Sequence, residues 1–213
     1  MPNITGTEQI EYLKELRVNI DELTGEMENF AFLNKIPILD WKASEFLQQL
    51  VKIKEPTNVL EIGTAIGYST IMIAKNLSEN SIIDTIELSR INVPLARRYI
   101  ERSGLSGKIN IIEGDALKVI PELDKKYDFI FLDSDKEDYL ALFNEVLPKL
   151  NTKGILFVDN LLWKGNIALK EIPEKFKKSA SIIKEFNRKF CSNEILEAKI
   201  YPIGDGVGVG IKK

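Results

Sequence analysis

The sequence predicts an α/β fold built on a doubly wound, mostly parallel sheet. Three observations predict it. From residue 58 onward, five short apolar runs alternate with stretches whose apolar residues recur at helical spacing. Runs such as Phe129-Ile130-Phe131-Leu132 are apolar at every position, as expected of strands covered by helices on both faces. Glycines and acids follow the runs directly, at the carboxyl ends where open α/β sheets bind their ligands.

The elements follow in order. Ile10, Leu13, Leu16 and Ile20 recur at helical spacing, so the first fifty residues read as helices. Ile36-Pro37-Ile38-Leu39 interrupts them, because proline disfavours helix at the residue before it. Asp40 then caps a helix carrying Phe46, Leu47, Leu50 and Val51. The expected strands are Asn58–Gly63, Ser81–Glu87, Lys108–Glu113, Tyr127–Asp133 and Gly154–Asp159, with helices near 67–77, 91–103, 115–122 and 136–149. A polar helix near 173–190 precedes two runs, Ala198–Ile203 and Val207–Lys212, around Gly204-Asp205-Gly206, which reads as an antiparallel hairpin. No internal repeat or linker divides the chain. One domain over 1–213 is expected, with N-terminal helices over 1–55 and the α/β core over 56–213.

Composition removes several chemistries. Histidine is absent from the 213 residues, which excludes Ser-His-Asp triads, Cys-His dyads and His-ligated zinc. A single cysteine, Cys191, excludes an intrachain disulfide and cysteine-cluster metal sites. A metal here must be held mainly by oxygen, which points to hard cations such as Mg²⁺ or Ca²⁺. Lys and Arg number 29 against 32 Asp and Glu, a net charge of −3, so the whole chain is no polycation. Residues 167–190 nevertheless hold seven cations and three acids, either a solvated helix face or a landing site for an anionic substrate. No apolar run reaches the length of a membrane span, and the first sixteen residues carry early acids with no apolar leader core. A soluble cytoplasmic protein is expected.

Leu60-Glu61-Ile62-Gly63-Thr64-Ala65-Ile66-Gly67-Tyr68-Ser69 closes a strand and opens a helix, with glycines where backbone must turn and approach a ligand. Glu87 ends the next strand, at the offset where a carboxylate can accept both ribose hydroxyls. The spacing is not that of a dinucleotide fingerprint, and no Walker lysine is present. A nucleoside with a cationic tail fits better, because Glu61 adds negative charge. Gly114-Asp115-Ala116 is placed to meet an adenine edge. At two further strand ends, Asp133 and Asp159-Asn160 offer two carboxylates and an amide oxygen, a set suited to octahedral Mg²⁺ with positions left for substrate. Capping of the following segments is the structural alternative for those acids. Lys136 lies three residues after Asp133. Trp41, Trp163, Tyr68 and Tyr139 are candidate pocket aromatics or packing.

These residues resemble the class I S-adenosylmethionine-dependent methyltransferases and, more narrowly, the cation-dependent O-methyltransferases that include the catechol and caffeoyl-CoA enzymes. The resemblance runs from Ile36-Pro37-Ile38-Leu39 to the closing hairpin. It implies a Rossmann-like, mostly parallel seven-stranded sheet with an antiparallel C-terminal strand and an N-terminal helical extension. It implies S-adenosylmethionine held by Leu39, Glu61, Gly63, Ser69, Glu87, Asp115, Ala116 and Asp133. It also implies Mg²⁺ on Asp133, Asp159 and Asn160, with Lys136 and Asp133 catalytic, and a homodimer. Four segments, Ile36–Leu39, Leu60–Ser69, Asp159–Gly165 and Pro202–Gly206, resemble the bacterial tRNA 5-hydroxyuridine methyltransferases. That implies a tRNA anticodon loop as partner and 5-methoxyuridine as product. A small phenolic substrate of catechol or caffeoyl-CoA type is the alternative. A nucleotide-dependent oxidoreductase and a non-catalytic binding module fit less well, given the strand-end Asp-Asn pair and Lys136.

Overall fold

The computed structural model describes residues 6–17 and 20–213. The first five residues of the stretch read as leaderless therefore lie outside it. The chain divides into two compact units, one ending at Ile36 and the other spanning Pro37–Lys213. The first holds α1 (Thr7–Glu15) and α2 (Glu22–Asn34). The apolar spacing of Ile10, Leu13 and Leu16 extends beyond α1, which stops at Glu15 with Leu16 as its cap. Asp21 caps α2 by accepting from the Thr24 N–H at 3.1 Å, and a bidentate, half-buried Arg17–Glu28 pair ties the segment before α2 to that helix.

The second unit is a seven-stranded sheet. Its strands are β1 (Asn58–Ile62), β2 (Ile82–Glu87), β3 (Ile109–Glu113), β4 (Tyr127–Leu132), β5 (Leu150–Val158), β6 (Leu196–Tyr201) and β7 (Val207–Lys212). The strand order is β3-β2-β1-β4-β5-β7-β6. The first five strands in chain order pair in parallel, and β7 runs antiparallel to both β5 and β6. The expected C-terminal hairpin is therefore present. Helices α3 (Trp41–Lys54), α4 (Tyr68–Ala74), α5 (Asn92–Ser103), α6 (Ala116–Glu122), α7 (Tyr139–Lys149) and α8 (Glu174–Cys191) cover the sheet.

The all-apolar strands explain themselves in section. On β4, Ile130 and Leu132 face one side, in a core with Leu60, Leu156 and the α7 and α8 residues Phe143, Phe186 and Phe190. Phe129 and Phe131 face the other side, where Phe157 stacks with Phe129 at 6.4 Å and meets Phe131 edge-on at 5.4 Å. Phe46 of α3 closes that side at 6.2 Å from Phe157. All four β4 residues are fully buried, each contributing on the order of 2–3 kcal/mol of apolar burial.

Several boundaries differ from expectation, among them the shift of the first C-terminal strand to Leu196–Tyr201 from Ala198–Ile203, and two have a local cause. β5 starts at Leu150, earlier than Gly154: Leu150 already pairs with Tyr127, and Asn151-Thr152-Lys153, which reads as a turn, fills the register shift before Ile155 pairs with Phe129. Lys153 takes up the irregularity at φ 60°. The helix expected from 136 begins as one 3₁₀ turn, Lys136–Asp138, before α7.

Candidate active site

Parallel pairing brings the carboxyl ends of β1 to β5 to one edge of the sheet, and the ladder continues one residue past each strand. The Gly63 N–H donates to the Ile86 carbonyl at 3.0 Å, Gly114 N–H to Glu87 at 2.9 Å, Asp133 N–H to Ile62 at 3.0 Å and Asp159 N–H to Leu132 at 3.2 Å. The residues that the sequence offered for chemistry are thus locked at the strand tips. Chain order reverses between β1 and β4, the switch point where open α/β sheets leave a crevice. A cavity of about 830 Å³ opens there, lined among others by Gly63, Glu87, Asp115, Asp133, Lys136 and Asp159.

Gly63 permits the closeness of β1 to β4. It lies at φ +103°, and a Cβ on it would stand 1.8 Å from the Asp133 carbonyl oxygen. Glu87 is buried at the β2 tip. One carboxylate oxygen accepts from the Ala65 N–H at 2.7 Å, and the other from the Ser89 N–H at 2.7 Å and the Asn92 amide at 3.3 Å. Those donors fix the carboxylate on the cavity wall and leave part of its accepting capacity unused. Asp115 caps α6 through the Leu117 N–H at 3.0 Å, and Ala116 follows it on the cavity wall.

Leu39, Glu61 and Ser69 do not line this cavity. Pro37 and Ile38 do so in place of Leu39, which is buried. Glu61 is fully buried behind the glycine loop and accepts hydrogen bonds from Ser69 and Thr85 at 2.6 Å each, and from Thr70. Burial outweighs those donors and pushes its carboxyl up to about 7. The Ser69 hydroxyl is spent on Glu61, which staples the start of α4 to the end of β1.

On the other side of the switch point, three acceptors hold the Lys136 side chain in place. Its ammonium donates to Asp133 Oδ1 at 3.2 Å, the Ser134 carbonyl at 2.9 Å and the Tyr139 hydroxyl at 2.8 Å. Tyr139 in turn donates to the Asp159 carbonyl at 3.0 Å, and its complete burial holds the phenol well above its ordinary pKa. Asp159 is 3% exposed, and its Oδ1 has no partner among the described residues. Burial first, and the neighbouring Asp133 carboxylate second, push its carboxyl up to about 8. The Asn160 amide donates to Asp159 Oδ2 at 3.1 Å. Among the described residues no three Asp, Glu or Cys side chains gather closely enough to hold a metal ion by themselves. A cation held by Asp133 and Asp159 needs the Asn160 amide oxygen and substrate or water besides.

The chain matches the O-methyltransferase family model over residues 5–213. This chain belongs to the O-methyltransferase family. It is an S-adenosylmethionine-dependent O-methyltransferase. It is 31% identical over 205 residues to a caffeoyl-CoA O-methyltransferase of Populus kitakamiensis, covering 92% of this chain and 84% of that one. Among solved structures, it is similar to a Staphylococcus aureus protein provisionally described as a caffeoyl-CoA O-methyltransferase, at TM-score 0.89 and 27% identity over 95% of this chain and 98% of that one. An O-methyltransferase of Bacillus cereus, solved with S-adenosylhomocysteine, gives TM-score 0.83 and 25% identity over 95% and 96% of the two chains.

Sequence reasoning missed part of this O-methyltransferase's site. Asp205 reads as the polar centre of a Gly-Asp-Gly turn, yet it lines the cavity. Ser134 reads as a spacer, yet its buried hydroxyl has no partner among the described residues. For Asp205 the flanking glycines were a usable signal, since two glycines around one acid let a turn approach another loop. A Cβ on Gly206 would stand 2.4 Å from the Leu162 side chain. Trp163 lines the cavity and Tyr139 stands behind Lys136, whereas Tyr68 is buried away from the lining. Among the described residues no helix is long and apolar enough to cross a membrane.

Proposed function

We propose that this O-methyltransferase methylates a hydroxyl that has a second oxygen beside it, with Mg²⁺ at Asp133, Asp159 and Asn160. The substrate in this proposal is 5-hydroxyuridine at the wobble position of a tRNA anticodon loop, and the product is 5-methoxyuridine. One observation carries the metal reading: two carboxylates share one pocket, and the buried one has an oxygen with no partner. A divalent cation relieves that repulsion, and two carboxylates with an amide oxygen are a hard donor set that suits it. When bound, Mg²⁺ lowers the pKa of the substrate hydroxyl and fixes its approach to the methyl donor.

The chain's own residues supply the rest. Glu87 accepts the ribose hydroxyls of the donor, Asp115 and Ala116 flank its adenine, and Gly63 lets its amino-acid end lie against the backbone. Leu39, Glu61 and Ser69 act from behind, by holding the loop. Lys136, with its three protons committed to acceptors, stabilises the oxyanion by charge rather than removing the proton. The proposal keeps the single methyltransferase domain, the homodimer and the cytoplasmic location that the resemblance and composition imply.

Exposed Lys164 lines the cavity, and the cation-rich α8 contributes Ser179 to it. Both features favour an anionic substrate. They suit a phosphate backbone and equally a coenzyme A thioester, and the names of the relatives favour the second, small-phenol reading. Incubation with S-adenosylmethionine, Mg²⁺ and either tRNA carrying 5-hydroxyuridine at the wobble position or caffeoyl-CoA and catechols, followed by mass spectrometry, tests both. Methylated wobble uridine is expected. Transfer to the phenols alone would replace the tRNA reading, and turnover undiminished by EDTA would remove the metal.

A further inference from the structure

The loop after β5 has an unusual backbone. Asn160, Trp163, Lys164 and Gly165 all have positive φ, at 60°, 47°, 54° and 75°. Three of the four are not glycine, and each such residue costs on the order of 1 kcal/mol or more. Something must hold the loop there, and the β6–β7 turn does. The Leu161 N–H donates to the Gly206 carbonyl at 2.8 Å and the Leu162 N–H to the Asp205 carbonyl at 2.9 Å. The Asp205 carboxylate adds two side-chain contacts. Its Oδ1 accepts from the Lys164 N–H, and its Oδ2 accepts from Asn160 Nδ2 at 3.4 Å.

That second contact bears on Asn160. A primary amide has one face that donates and one that accepts, and rotation by 180° exchanges them. The Asn160 NH₂ group lies against Asp159 Oδ2 and Asp205 Oδ2 together. Both are acceptors, so the amide is held with its nitrogen toward them and its oxygen on the other side. Asp205 itself is oriented by the Lys164 N–H, a donor that cannot rotate away.

We propose that Asp205 is a positioning residue for the cation site: it orients the Asn160 amide so that Oδ1, rather than Nδ2, is presented with Asp133 and Asp159. The inference rests on the Mg²⁺ reading above. It assigns Asp205 no contact with substrate or donor.

The informative variant is Asp205→Asn. Its carbonyl can still accept from the Lys164 N–H, so the loop tether survives. Its NH₂ then faces the Asn160 NH₂, and two donors in opposition favour the rotated Asn160. The measurement is titration calorimetry with Mn²⁺ as probe, on the full chain, beside S-adenosylhomocysteine binding and thermal unfolding. Asp205→Asn is expected to weaken Mn²⁺ about 10- to 100-fold, the usual effect of losing a partner that orients a metal ligand. S-adenosylhomocysteine affinity should stay within about twofold, since Asp205 is assigned no contact with the donor. The exchange Asn160→Asp with Asp205→Asn restores one carboxylate facing one amide, and should recover most of the lost Mn²⁺ affinity. Because Asn160→Asp adds a carboxylate beside the cation whatever Asp205 does, that single variant is measured alongside, and a gain in it as large as the recovery in the exchange counts against the orienting role. The proposal is overturned if Asp205→Asn binds Mn²⁺ as the unaltered chain does, or if the exchange binds no more tightly than the single variant. If the unaltered chain takes up no Mn²⁺, the metal reading falls together with this one. If the unaltered chain binds Mn²⁺, Asp159→Ala does not and Asp205→Asn does, only the role of Asp205 falls.

Discussion

Glu61 is the residue whose removal has the most calculable consequence. Its carboxyl titrates near 4.5 in an unstructured chain and is pushed up to about 7 by complete burial under the glycine loop. The folded chain therefore binds the Glu61 proton more tightly than the unfolded chain does. A raised folded pKa means that the stabilisation is fully present below pH 4.5 and is lost as pH rises toward and through 7. A shift of roughly 2.5 units at about 1.4 kcal/mol each corresponds to about 3 kcal/mol over the whole window, most of it between pH 5 and 8. In Glu61→Gln the amide accepts from two of the three hydroxyls and donates to the third, whose own proton can rotate. The variant cannot ionise, so its stability lacks this slope. Urea unfolding of both proteins at several pH values between 5 and 8, in EDTA, isolates the effect, because other titrating groups cancel in the difference. The stability of Glu61→Gln relative to the unaltered chain should rise by about 2–3 kcal/mol from pH 5 to 8. A difference that stays constant across that range would refute the claim that Glu61 is a buried, proton-binding staple.

Other outcomes follow from the same geometry. Gly63→Ala places a methyl group into the Asp133 carbonyl at φ +103°, and should lower stability by more than about 3 kcal/mol, read as a melting shift of several degrees. Lys136→Met keeps the volume of the stem but removes the cation beside Asp133; a loss of about 10²- to 10³-fold in kcat, with S-adenosylhomocysteine affinity within a few-fold, is expected from stopped-time assays and calorimetry. Glu87→Gln should weaken S-adenosylhomocysteine about 10-fold or more, because a neutral amide accepts hydroxyl hydrogen bonds less well than a carboxylate. Reversing Lys175, Lys177 and Lys178 to Glu should raise the KM for tRNA, with an effect that fades as salt rises, while catechol turnover remains; unaltered tRNA kinetics would show that the start of α8 is not a landing site.

Much of the fold was legible because burial on both faces leaves a local trace. A strand covered twice must be apolar at each position, and β4 is so from Phe129 to Leu132. A helix covered once must repeat at three and four residues, as Val93, Ala96 and Ile100 do on α5. Element ends were less legible wherever pairing across the sheet overrode local propensity. Asn151-Thr152-Lys153 has turn chemistry and still lies within β5, as the irregularity between the Leu150–Tyr127 and Ile155–Phe129 pairs.

Site residues divide along the same line. By itself the amino-acid order determined that a metal would be held mainly by oxygen, that glycines and acids stand at strand ends, and that Asp133, Lys136, Asp159 and Asn160 follow apolar runs. These are local facts, and a strand that stops being apolar marks its own tip. Only the tertiary structure decided that Glu61 and Ser69 face each other rather than the cavity, that Pro37 and Ile38 line it where Leu39 does not, and that Asp205 comes up to Asn160 from a turn 45 residues further along the chain. Which way a side chain faces, and which distant acid it meets, depends on pairing and packing between segments, and no window of neighbouring residues contains that information.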